Sequence, residues 1–67
     1  MRKNDTIVLD CLRDRGPMTV TEIQEFTNLK APALHEALMR LRAAGHAQGG
    51  RHVETNRFLW GIQKGQS

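Results

Sequence analysis

Cysteine is nearly absent from this sequence, tyrosine is absent, and aromatic residues make up only 4% of its 67 positions. The single thiol, Cys11, rules out an intramolecular disulfide, so the stapled framework of a small secreted protein is excluded and a reducing, cytoplasmic setting is expected. No apolar run approaches the roughly 20 residues of a membrane span, and Met1-Arg2-Lys3-Asn4-Asp5 does not lead into a signal-type stretch. His35, His46 and His52 with one Cys lack the paired spacings of a zinc site, and no cofactor is expected. A Gly-rich phosphate loop, a nucleophile elbow and a clustered acid–base pair are also missing, so no enzymatic activity is expected.

What the chain does have is a globular composition, 39% hydrophobic and 25% charged, with ten Lys and Arg against seven Asp and Glu. A formal net charge of +3 on so short a chain favours a polyanionic partner, while the same charge also serves solubility alone. The length allows one core, and a domain of this size buries only about 60% of its unfolded surface. Residues 1–67 are therefore expected to form a single domain.

Helical signals come first. Asn4 or Asp5 can cap a helix over about 5–15, with Ile7, Val8, Cys11 and Leu12 as its apolar stripe and Leu9 off it. Arg13 and Arg15 suit its carbonyl end, and Gly16-Pro17 stops it. Thr19-Val20-Thr21-Glu22 reads as a capping box opening a second helix, about 20–27, with Ile23 and Phe26 inward and Asn28 in a left-handed turn. Leu29 fills the corner. Pro32 sits in the first turn of a third helix, about 31–44, whose Leu34, Ala37, Leu38 and Leu41 share one face before Gly45 closes it.

Beyond lie Gly49-Gly50, a polar stretch from Arg51 to Arg57, and Phe58-Leu59-Trp60-Gly61-Ile62. These predict two short antiparallel strands within about 46–62, with Phe58, Trp60 and Ile62 closing the core and Leu59 pointing away. A polar tail, 63–67, is expected to fray.

The stretch from Pro17 to Ile62 resembles the winged helix-turn-helix superfamily, in the form found in small prokaryotic and phage transcription regulators. Thr19-Val20-Thr21-Glu22-Ile23, Thr27-Asn28-Leu29 and Pro32 to Leu41 carry the likeness; Asn28 replaces a usual glycine, and Lys30 a usual Ser or Thr cap. The resemblance implies a mainly α (α+β) fold of three helices and a two-stranded β-hairpin wing. It also implies double-stranded DNA as partner, with the third helix in the major groove, in a transcriptional regulator or accessory factor.

On a 100°-per-residue wheel, Pro32, Ala33, Glu36, Met39, Arg40 and Ala43 lie opposite the leucine stripe, with Lys30 and His35 at the margins. Arg40 suits a phosphate or a guanine edge, His35 a base or phosphate, Glu36 a cytosine amino group, and Ala33 a thymine methyl. Arg42 reads equally as a solvated charge. In the wing, Arg51, His52, Asn56 and Arg57, flanked by the flexible Gly49-Gly50, suit phosphates. The rival reading is a protein-docking face built on Pro32, Met39 and Ala43. Leu9 and Leu59 offer only a small apolar patch, so a monomer or weak homodimer is expected.

Overall fold

The computed structural model describes residues 1–63, which form α1 (Lys3–Arg15), α2 (Val20–Thr27), α3 (Ala31–Ala43) and an antiparallel hairpin of β1 (Ala47–His52) and β2 (Arg57–Ile62). Three helices and a two-stranded hairpin are the architecture that the sequence predicts. Of the expected tail, residues 64–67 lie outside the described residues.

Helix α1 starts two residues earlier than expected. Arg2 stands at the N-cap with no side-chain cap, and its carbonyl accepts from the Thr6 amide at 3.0 Å. Asp5 does not cap because its carboxylate is engaged elsewhere. The helix buries Asp5, Val8, Leu9 and Leu12, an i, i+3, i+4, i+7 stripe, while Ile7 and Cys11 lie half-buried at its edge. The inward face is thus rotated by about 80° from the expected one. Leu9, expected off the stripe as part of a dimer patch, is a core residue. Gly16 ends the helix at φ 83°, its amide donating to the Leu12 carbonyl at 2.8 Å.

The capping box of α2 is complete. The Glu22 amide donates to Thr19 Oγ1 at 3.2 Å, and the Thr19 amide donates to Glu22 Oε1 at 2.9 Å. Asn28 closes the helix in the left-handed region at φ 60°. Only Ile23 of this short helix is fully buried. Phe26, expected inward, is 54% exposed, with the Arg15 guanidinium 3.7 Å above its ring. Eight residues offer one inward slot to the core, and Ile23 fills it.

In α3 the buried side chains are Leu34, Ala37, Leu38 and Leu41, as the periodicity requires. The helix ends in a Schellman arrangement: Gly45, at φ 81°, donates to the Arg42 carbonyl, and His46 to the Leu41 carbonyl. The hairpin follows with Ala47 paired to Ile62 and His52 to Arg57.

Three features of the hairpin differ from expectation. Met18, between α1 and α2, exchanges both backbone hydrogen bonds with Trp60, at 2.9 and 2.7 Å, so β2 is flanked on both sides. Gly49-Gly50 do not flank a mobile turn; they lie inside β1, and the turn is Val53 to Asn56. Trp60 is buried and Ile62 packs on the core, but Phe58 is 52% exposed. Its ring covers Gly49, where a Cβ would stand 2.7 Å from the Phe58 Cε1 atom, and meets Trp60 edge-on with centroids 6.0 Å apart. Phe58 covers the core from its rim.

Candidate nucleic-acid interface

Helix α3 has two flanks beside its leucine face, and the structure gives them different work. On one, Arg40 turns back toward α1 and donates from Nε to both oxygens of Asp5, at 3.1 and 3.0 Å, and from Nη2 to Oδ1 at 2.9 Å. Asp5 is only 5% exposed. The hydrogen bonds from Arg40 hold its carboxyl below the usual aspartate value of 3.8, against the opposing effect of burial. Glu36 Oε1 stands 3.8 Å from the same guanidinium. The phosphate or guanine contact expected of Arg40 is therefore corrected: its guanidinium is bound within the fold. A buried carboxylate needs a partner, and Arg40 supplies one with fork geometry.

The six residues that the wheel places opposite the leucines divide in the structure. Pro32, Glu36 and Ala43 are exposed, whereas Ala33 and Arg40 are half-buried and Met39 packs partly against the core. The apolar docking face expected of Pro32, Met39 and Ala43 loses Met39 as a free contact. His35 and Arg42, seven residues apart and both exposed, lie along the other flank. Lys30 is exposed at the N-cap, its side chain making no cap hydrogen bond. Among the described residues, Lys30, Arg42 and Arg51 stand in no ion pair. Arg42, which the sequence reading weighed as a solvated charge, is a further exposed cation of this surface; Asp5 reads as a helix cap in the sequence, and only the structure shows that it takes Arg40 and leaves Arg42 in solvent.

On the hairpin, Arg51 Nη1 donates to Asn56 Oδ1 at 3.1 Å, which braces the turn where Asn56 takes φ 56°. His52 Nδ1 lies 3.4 Å from the Thr55 hydroxyl. Arg57 Nη2 stands 3.8 Å from Glu22 Oε2, so this wing cation leans on α2. The backbone hydrogen bond from Thr19, aided by Arg57, holds the Glu22 carboxyl below its usual range. The outcome is an exposed α3 surface of small and short side chains, edged by Lys30, His35 and Arg42, together with a hairpin carrying Arg51 and His52. Such a surface can neutralise phosphates; it presents few groups able to read base edges.

No protein-family model and no curated protein matches the chain. Solved structures do. The chain is similar to the apo Zα domain of zebrafish PKZ, with a TM-score of 0.80 and 22% identity over 90% of this chain and 91% of that one. It is also similar to the Zα domain of Carassius auratus PKZ in complex with Z-DNA, at a TM-score of 0.76 and 15% identity over 90% and 92%. A third neighbour is a PKZ Zα domain in complex with ds(CG)6, at 0.76 and 22% over 90% and 94%. These likenesses cover nearly the whole of each chain and establish a winged-helix fold.

Proposed function

We propose that this domain binds double-stranded nucleic acid through the exposed surface of α3 and the hairpin, gripping the phosphate backbone and reading helix shape more than base sequence. The carrying observation is the pairing of a base-poor α3 surface with cations left outside every ion pair among the described residues, Lys30, Arg42 and Arg51. Two of the three similar Zα structures hold DNA, Z-DNA in one and ds(CG)6 in another, which supports the same class of partner here. Glu36 in the middle of the surface works against tight binding to any one sequence, because a carboxylate repels phosphates unless it finds a cytosine amino group. A role as a regulator of transcription or an accessory DNA-binding factor in a reducing cytoplasm belongs to this proposal and rests on the small basic domain and its single thiol.

The test is a fluorescence titration with a mixed-sequence duplex and with a (CG)6 duplex held in right-handed or left-handed form. Counting about four backbone contacts, log K should fall against log salt with a slope near −3 to −4, and mixed sequences should bind alike. Preference for one handedness over the other would identify shape as what is read. Absence of binding to all three duplexes at low salt and high micromolar protein overturns the proposal.

A further inference from the structure

Two arginine–carboxylate contacts join distant parts of this chain, and they differ in kind. Arg40 sends three hydrogen bonds to Asp5, which is 5% exposed. Arg57 Nη2 reaches Glu22 Oε2 only at 3.8 Å, beyond hydrogen-bond length, and the two side chains are 55% and 45% exposed. Breaking the first contact strands a buried charge, so it is permanent. The second costs little to exchange, because both groups stay in water when they part.

The two members of the exposed pair are not equally free to move. Glu22 is held by its other oxygen: Oε1 accepts from the Thr19 amide at 2.9 Å, in the first turn of α2, where the helix dipole also favours an anion. Arg57 opens β2 beside the turn residue Asn56, and Glu22 is its one ion-pair partner among the described residues. The hairpin does not need this pair to stay in place. Met18 and Trp60, three residues along β2 from Arg57, exchange two backbone hydrogen bonds at 2.9 and 2.7 Å and fasten the strand by themselves.

We propose that Glu22 is a latch on Arg57: with no duplex bound it holds the guanidinium against α2, and a backbone phosphate takes Arg57 over when a duplex docks. This exchange rests on the nucleic-acid reading of the α3 and hairpin surface. A phosphate offers the planar guanidinium two oxygens at hydrogen-bond distance, where Glu22 offers one at 3.8 Å, so the phosphate is the better partner. The fixed carboxylate stays behind and the long, flexible arginine moves. Glu22 is thus a positioning residue that touches no duplex; it weakens the grip on every sequence alike, because the contact it competes with is a backbone contact.

The experiment removes the charge and keeps the cap. Glu22→Gln preserves the capping box, in which Gln serves in place of Glu, so Tm should be nearly unchanged. In a titration of a labelled mixed-sequence duplex at low salt, this variant should bind about threefold tighter than wild type. Glu25→Gln, on the same helix and in no ion pair among the described residues, should change affinity much less. Arg57→Ala should weaken the duplex about threefold and reduce the salt slope by about 1. Added to Arg57→Ala, Glu22→Gln should gain no more than Glu25→Gln does. Unchanged or weaker binding by Glu22→Gln alone overturns the latch, and so does an equal gain with and without Arg57. Linear inorganic polyphosphate is the second probe, since it presents phosphates without a helix. If no duplex binds but Glu22→Gln tightens polyphosphate only when Arg57 is present, the nucleic-acid reading falls and the latch stands. If neither polyanion responds to Glu22→Gln in this way, the latch falls.

Discussion

Arg40 and Arg42 stand two residues apart on one helix, and their surroundings give them opposite parts. Arg40 is one-third exposed at its side chain and forked onto Asp5, a carboxylate 35 positions earlier in the chain; Arg42 is exposed and unpaired among the described residues. A cation bound to a buried anion stabilises the fold and has little charge left for a partner. A cation in solvent adds almost nothing to stability and keeps its full attraction for phosphate. Under the proposed function the two flanks of α3 separate stability from recognition, and substitutions can be chosen that move one and leave the other.

The largest effect is expected beneath both flanks. Leu38→Ala, at a side chain 1% exposed, should cost about 2–5 kcal/mol, a large share of the stability of so small a domain, measurable by urea denaturation. Next comes the buried pair. Arg40→Ala strands Asp5 without its partner and should lower Tm by on the order of 10 °C, with the salt slope of duplex binding unchanged where the protein remains folded. The same pair sets an acid limit. The Asp5 carboxyl is held below 3.8 in the folded state, so its contribution is present above that value and is lost as pH falls through the lower folded value. Acid unfolding followed by circular dichroism should shift less steeply below about pH 4 in Asp5→Asn than in wild type.

The opposite flank should behave in the opposite way. Lys30→Ala with Arg42→Ala should leave Tm nearly unchanged, weaken every duplex about tenfold and reduce the salt slope by about 2 units. A marked loss of stability in that double variant would erase the distinction between the flanks. The smallest effect is at the α1–α2 surface: Phe26→Ser removes a ring that Arg15 covers in solvent and should cost about 0.5–1 kcal/mol in urea denaturation.

The helical part was legible because its signals are local. Thr19 and Glu22 close a capping box three residues apart, Asn28 tolerates a left-handed turn, and Leu34, Leu38 and Leu41 can share a face only in a helix. The partners of α1 were not legible. Asp5 reads as a cap and Ile7 with Cys11 as core, until the reach of Arg40 from α3 fixes which side of α1 turns inward and brings Leu9 under cover. The hairpin was half legible: period two located Trp60 in the core, but nothing in the alternation shows that Met18 pairs along β2 or that the ring of Phe58 lies over Gly49. Among the site residues, Lys30, His35, Arg51 and His52 are exposed as expected, whereas Arg40 and Met39 are turned to internal contacts and Arg57 leans on Glu22.

The amino-acid order alone determined where α2 and α3 begin and end, which side of α3 is apolar, and that a hairpin follows the three helices. Capping, periodicity and turn chemistry act over a few residues, and a few residues are enough to read them. Tertiary structure alone decided which arginine is a fastening and which stays exposed, and it brought Met18 alongside β2. Those outcomes depend on which groups meet across long separations, and solvation makes the choice: a buried carboxylate takes the nearest guanidinium with good geometry, and the arginine left over remains in water.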